Sequence, residues 1–394
     1  MQATSDIGAP RARGLVIGRF VGAPIVVRPG WLLATVLLAV VSAPVARAYL
    51  PWLSPAGAYL VGGAFGLLLL ASVLVHELAH AWTARRRGIA VHQIVLTLVG
   101  GHTEMGGATT PGTSALVAVA GPLANVVLAA LGWLGMQLTS YIVVGYIGHE
   151  LTPATFGGNP AAYAAFAVLA SSNAAVAVLN LLPGLPLDGG RLLEAAVWRV
   201  SGRRRTGTLV AARSGRVIAV VAALAAVVVP YLGGGRPDLV TVVWGALLGA
   251  LLWTGAGPFL RSAAHEQAVA GLALLRLAVA APTLPAAATI ADLDATESST
   301  AVLVDDDGAP VGYVEPAAAA AVPPEHRSTT SLRTVAVRLP PGVSVDGGLT
   351  GPDAVLAVAE GARVSPMLVV LDPGGSVYGL LRYLDVVTAL RRDS

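Results

Sequence analysis

The chain consists of long apolar runs separated by short polar stretches. Six runs, over residues 30–49, 58–84, 113–138, 160–187, 209–232 and 239–258, are about as long as the ~20 residues a helix needs to cross a ~30 Å hydrocarbon core. Between the second and third runs, Val91-His-Gln-Ile-Val-Leu-Thr-Leu-Val is rich in β-branched residues and leads into Gly100-Gly101. That pattern predicts a strand or hairpin. From Pro282 onward the rhythm changes to short apolar strands alternating with turns. Residues 301–314 align with 368–381 at an offset of 67, which pairs Asp305 with Asp372 and Gly312 with Gly379. Each unit reads as strand, tight turn, strand and helix, the second helix covering 382–392. Residues 259–281 read as an amphipathic connector helix, and 317–322 as a weakly specified helix or loop. The predicted architecture is a polytopic α-helical membrane domain over 1–258 with six transmembrane helices and a short membrane-associated β-hairpin. A connector over 259–281 and a water-soluble α/β domain over 282–394 follow it.

Composition supports the membrane assignment. Hydrophobic residues make up 55% of the 394 residues and charged residues 12%, whereas soluble domains carry about 25% charge. Disorder of the bulk is excluded on the same ground. Cysteine is absent, which removes disulfides, thiolate metal sites and thiol nucleophiles. All 25 basic residues are Arg, so Schiff-base lysine chemistry is excluded as well. The chain carries ten surplus positive charges up to Arg261 and seven surplus negative charges beyond it. The basic residues sit at the ends of apolar runs, so they report topology and not a nucleic-acid surface. Arg11, Arg13, Arg19 and Arg28 precede the first run, and Arg85, Arg86 and Arg87 follow the second. Arg199, Arg203, Arg204, Arg205, Arg213 and Arg216 cluster around the junction of the fourth and fifth, and Arg261 follows the sixth. With six spans all of these fall on one side, and the opposite loops hold only Arg47 and Arg236. Both termini are therefore expected in the cytoplasm. The first run lacks a cleavage site and reads as a span, not a signal peptide.

A charge at mid-bilayer costs at least about 2.5–3.5 kcal/mol on insertion scales, so ionisable residues inside the runs are candidates for function. The second run contains His76-Glu77-Leu78-Ala79-His80, the pattern H-E-x-x-H. Residues four apart stack on one helix face, so His76 and His80 can share a metal ion. Glu77 lies one step round, where it can take a proton from a water on that ion. Imidazole ligands suit zinc, which usually takes a third protein ligand in catalytic sites. Asp188 is the best candidate, because Pro183, Gly184, Pro186, Gly189 and Gly190 break the helix around it. A helix-capping role for Asp188 is the alternative. Asn180 is polar in an apolar stretch and can donate to a substrate carbonyl or oxyanion, or else bond a neighbouring helix. Asn125 and Asn173 read as ordinary structural polar residues. His92, His102, His149, His265 and His326 read as surface or locally bonded residues.

These motifs together resemble the site-2 protease family of intramembrane zinc metalloproteases, in its bacterial and archaeal branch with a C-terminal pair of CBS modules. The residues that carry the resemblance are His76–His80, Gly100-Gly101, Ala120-Gly121-Pro122-Leu-Ala-Asn125 and Asn180 through Gly190. The resemblance implies that His76, His80 and Asp188 bind zinc and that Glu77 is the general base. It also implies cleavage of membrane-spanning substrates, in bacteria anti-sigma factors, signal-peptide remnants and membrane-tethered regulators, at the cytoplasmic membrane. A helical substrate must unwind before a peptide bond meets the metal, and an edge strand near Gly100 and Gly101 can hold it by main-chain hydrogen bonds. Water should reach the site by a polar route near Gly100 and Gly189. The repeated tail is similar to a tandem CBS pair, which implies a homodimer contact or an adenine-nucleotide site. Gly379 and Asp385 match the nucleotide signature, whereas Arg382 stands where Ser or Thr is usual and the first unit lacks the Asp.

The leading function is therefore a zinc-dependent intramembrane endopeptidase. A divalent-metal transporter or channel regulated by the CBS pair would also explain His76, His80 and Asp188, but gives Glu77 no duty. A non-catalytic scaffold would bind no metal.

Overall fold

The computed structural model describes residues 14–97, 100–107, 109–140 and 160–392. Arg11, Arg13 and His149, singled out above, lie outside them. The chain divides into two compact units at Leu260/Arg261.

The first unit opens with two strands that sequence reading had not separated from the leader, β1 (Leu15–Phe20) and β2 (Ala23–Val27). Helix α1 (Gly30–Tyr49) follows, then α2 (Pro55–Arg86). The α2 helix starts where Ser54 Oγ accepts from the Gly57 amide at 3.1 Å, with Pro55 in the first turn. It ends at Gly88, whose φ of 78° is left-handed, with Arg85 and Arg86 at the negative end of the helix dipole. The hairpin expected after it is present as β3 (Ala90–Thr97) and β4 (Gly100–Gly106). It is half of a larger sheet of order β1-β2-β3-β4, in which β2 and β3 run parallel and the other pairs antiparallel. One edge of β4 has no strand partner among the described residues.

Helices α3 (Pro111–Ser140), α4 (Pro160–Asn180), α5 (Asp188–Ser201), α6 (Arg204–Leu232) and α7 (Leu239–Ala270) complete the unit. Among the described residues six helices, α1 to α4, α6 and α7, are long and apolar enough to cross a membrane. Many of their large apolar side chains are exposed, as expected where lipid is the solvent. The fourth run departs from expectation. Its helix stops at Asn180, because Pro183 and Pro186 cannot continue the hydrogen-bond ladder. Residues 181–187 form a turn, which α6 satisfies: Leu185 N–H donates to the Ala211 carbonyl at 3.0 Å and Ser214 Oγ donates to the Pro183 carbonyl at 2.5 Å. A Cβ on Gly215 of α6 would lie 1.9 Å from the Leu185 carbonyl oxygen, so the two backbones touch. Amphipathic α5 had not been anticipated. The expected connector is also redrawn: residues 259–270 continue α7, which runs on past Pro258.

The second unit contains α8 (Leu274–Leu277), β5 (Val279–Ala280), β6 (Thr283–Pro285), α9 (Ile290–Asp294), β7 (Ala301–Val304), β8 (Pro310–Val314), α10 (Pro316–Ala320), α11 (Leu332–Val335), β9 (Ala336–Arg338), β10 (Ser344–Asp346), α12 (Gly351–Gly361), β11 (Met367–Leu371), β12 (Val377–Arg382) and α13 (Tyr383–Arg392). They form two four-stranded sheets, β6-β7-β8-β9 and β10-β11-β12-β5. The sequence repeat is repeated in register: Ala301 pairs with Val314 as Leu368 pairs with Leu381, and Leu303 with Gly312 as Val370 with Gly379. The aspartates of the repeat shape identical turns. Asp305 Oδ1 accepts from the amides of Asp307 and Ala309, and Asp372 Oδ1 from those of Gly374 and Ser376, at 2.8–3.1 Å. Each sheet has its own apolar core, around Leu303 and Leu332 in one and Leu368 and Leu381 in the other.

Candidate metal centre and active site

The buried stripe of α2 carries His76, Glu77 and His80, each 6–7% exposed. The break after α4 makes Asp188 the first residue of α5, with no capping bond, and turns its carboxylate to the histidines. Asp188 Oδ2 lies 3.0 Å from His76 Nε2 and 3.2 Å from His80 Nε2, and the two Nε2 atoms are 3.0 Å apart. Both Nδ1 atoms face oxygen. His76 Nδ1 donates to Asn125 Oδ1 at 2.5 Å, and His80 Nδ1 to the Val117 carbonyl at 2.7 Å. A carbonyl only accepts, so Nδ1 of His80 carries the hydrogen and Nε2 of the neutral ring is bare.

Lone pairs of two imidazoles and a carboxylate thus converge on one point, a repulsive arrangement that a cation relieves. Their spacing approaches the edge of a tetrahedron with ~2.0–2.1 Å bonds, about 3.3 Å. Gly121 of α3 supplies a second sign of fit. A Cβ there would lie 2.3 Å from His80 Nε2 and 2.5 Å from His76 Nε2, so only glycine leaves the space before both nitrogens open. The donor set, with outward hydrogen bonds fixing each ring, is that of a zinc site.

Glu77 does not join this group. Its Oε2 accepts from Thr103 Oγ1 of β4 at 2.8 Å, and Gly101 packs so closely that a Cβ would lie 2.4 Å from Glu77 Cγ. A cavity of about 270 Å³ adjoins the centre, with Glu77, His80, Asp188, Gly101, Thr103 and Arg191 in its wall. Arg191 has no ion pair or hydrogen bond among the described residues. Arg204, also in the wall, is committed to Glu194 at 3.3 Å and lies over the Trp198 ring.

Other expected residues are placed differently. Asn180 ends α4 half-buried, outside the cavity wall, and so does Gly100 at the start of β4. Gly189 is packed against the carbonyls of Leu181 and Leu182 and is not in the cavity wall. His102 lines the cavity and lies 3.6 Å from Glu104. Thr103 and Arg191 are not picked out by the sequence, and Asn125, although within the Ala120–Asn125 motif, reads there with Asn173 as an ordinary structural residue. The asparagines carried the same signal that picked out Asn180, a polar group in an apolar span.

Six apolar helices, an H-E-x-x-H helix and a distant aspartate on one metal centre define a membrane metalloprotease. Residues 64–223 match the model of peptidase family M50. The chain is 35% identical over 317 residues to a Mycobacterium tuberculosis protein named as a zinc metalloprotease, Rip3, covering 78% of this chain and 74% of that one. It belongs to peptidase family M50, the site-2 proteases. Among solved structures it is similar to the site-2 protease from Methanocaldococcus jannaschii, with 20% identity over 62% of this chain and 94% of that one at a TM-score of 0.39. Its tail is similar to a hemolysin-like protein containing a CBS domain from Oenococcus oeni, with 20% identity over 32% of this chain and 95% of that one at a TM-score of 0.23.

Proposed function

We infer that the chain is an intramembrane endopeptidase that cleaves transmembrane segments of membrane-tethered proteins, anti-sigma factors being one such class. The observation that carries this reading is the placement of Glu77 at the wall of the cavity, beside the His76–His80–Asp188 centre, with its carboxylate held by Thr103. Bound zinc would supply Lewis-acid polarisation of the scissile carbonyl and a water of lowered pKa. Glu77 accepts the proton of the attacking water and delivers it to the leaving amide nitrogen. Thr103 keeps one carboxylate oxygen occupied and so orients the other. Residues 101–107 of the free β4 edge line the cavity, apart from Glu104, which supports main-chain capture of an unwound substrate beside Gly100 and Gly101. Arg191, exposed at the cavity and uncommitted, takes over the carbonyl-holding role expected of Asn180. The tail acts as a CBS pair and either binds an adenine nucleotide or joins two copies. The protein resides in the bacterial cytoplasmic membrane with both termini inside.

Glu77→Gln tests this reading. The variant should keep about one zinc per chain and lose cleavage of reconstituted single-span peptides by ~10²–10⁴-fold, the usual worth of general base catalysis. A Glu77→Gln protein with undiminished cleavage overturns the assignment. Metal-ion flux in vesicles that persists in Glu77→Gln, with no cleavage by the wild type, would favour a transporter.

A further inference from the structure

We propose that Ser72, Asn173 and Asn125 form a positioning relay that fixes the tautomer of His76, so that its Nε2 always presents a lone pair to the metal. This rests on the reading of His76, His80 and Asp188 as metal ligands.

The relay begins in α2, where Ser72 Oγ donates to the Leu68 carbonyl at 2.9 Å. A hydroxyl has one hydrogen, so towards α4 it can only accept. The Asn173 atom 3.0 Å away is therefore the amide nitrogen. The Leu169 carbonyl, 2.9 Å from that same nitrogen, requires the same orientation. Both amide hydrogens of Asn173 are then used, and its oxygen faces α3. There Asn125 must present its own nitrogen, at 2.7 Å. Its oxygen is left for His76 Nδ1, which must carry the hydrogen. The neutral ring is then bare at Nε2.

An isolated asparagine amide could be turned either way. This one cannot, because the far end of the chain of bonds is set by the Leu68 and Leu169 carbonyls, which only accept. Turning Asn125 would set its amide oxygen against that of Asn173. Water offers no substitute, since Asn125 and Asn173 are 0% exposed and Ser72 is 3% exposed. His80 reaches the same state directly through the Val117 carbonyl. Among the described residues no main-chain carbonyl bonds the His76 ring, and the relay supplies the equivalent acceptor. It also explains why three apolar spans carry uncharged polar residues at these positions. Because the relay crosses α2, α3 and α4, the metal centre depends on the mutual seating of all three helices.

The test is zinc affinity of the full-length protein in detergent, measured by competition with a graded chelator, alongside thermal unfolding. Asn125→Leu removes the acceptor at nearly constant volume and should weaken zinc about 10–100-fold, as for other partners of metal ligands. Asn125→Asp keeps an acceptor facing Nδ1, and a buried neutral carboxyl can donate from its other oxygen to Asn173 Oδ1 as the amide did, so affinity should stay within about threefold of wild type. A merely structural asparagine would not show this rescue at the metal. If Asn125→Leu is not recovered folded, Asn173→Leu decides, with an expected loss of about threefold or more because Asn125 is freed to turn. Wild-type affinity in these leucine variants overturns the relay, as does failure of Asn125→Asp to exceed Asn125→Leu. Wild-type protein that holds no zinc at all overturns the ligand reading instead.

Discussion

At Gly121 one added methyl group is expected to empty the metal centre. Its Cβ would sit 2.3–2.6 Å from ring atoms of both His80 and His76. Neither ring can retreat, because each is tied outward through Nδ1. Gly121→Ala should therefore fold, since α3 gains a better helix former, yet bind zinc at least ~10-fold more weakly, comparable to losing the hydrogen-bond partner of a metal ligand. Metal content measured beside a thermal scan checks this; a loaded Gly121→Ala protein would contradict the geometry. His76, Glu77, His80 and Asp188 were legible in the sequence because charge inside an apolar run is expensive and seldom idle. Asn125 and Asn173 were visible by the same rule but silent in meaning. What gives them a role is a bond to a residue 48 or 49 positions away, and no local pattern encodes that. Thr103 and Arg191 lie outside the runs, where polar residues are ordinary.

The elements themselves were legible in proportion to their periodicity. Runs of apolar residues located six spanning helices to within a few residues at most ends, those of the fourth and last runs excepted. The offset of 67 located two modules whose strand pairing repeats in register. Helix α5 was missed because it is amphipathic and follows a proline-broken turn, so hydropathy alone gave it no outline. Strands β1 and β2 were missed because they gain their meaning only beside β3. In the tail, Arg327 ties α9 to α10: it forks onto the Asp294 carboxylate at 2.5 and 2.7 Å and reaches the Ala319 and Val322 carbonyls at 2.9 and 3.2 Å. The hydrogen bonds from Arg327 hold the Asp294 carboxyl below its ordinary range. A depressed carboxyl stabilises the fold fully above its unfolded pKa of about 3.9, and that contribution is lost as the pH falls through the folded value. Arg327→Ala and Asp294→Asn should each lower the unfolding temperature of the tail at pH 7. The double variant should be little worse than the Arg327 single, because the two residues share one interaction. In strongly acidic solution Asp294→Asn and wild type should converge. Calorimetry of the full chain across pH reads all three outcomes.

For the molecule as a whole, the distribution of arginine makes the sharpest prediction. The α2 end at Arg85–Arg87 and the α5–α6 junction at Arg203–Arg205 lie on the side expected to be cytoplasmic. The α6–α7 connection, residues 233–238, carries Arg236 alone. Retaining arginine on the cytoplasmic side is the general bias of inserted helices, so six spans bring the tail to that side as well. The absence of cysteine makes this directly testable, because any single cysteine introduced is the only thiol in the chain. A membrane-impermeant maleimide added to intact cells should label Gly234→Cys in the α6–α7 connection. It should leave Gly202→Cys, between α5 and α6, and Ser299→Cys, in the tail, unlabelled until the membrane is opened. Labelling of Ser299→Cys from outside would invert the molecule. The cavity beside Glu77 would then take its water from the opposite face, because β4 and the first turn of α5 share a wall there and the α5–α6 junction sits at the far end of that short helix.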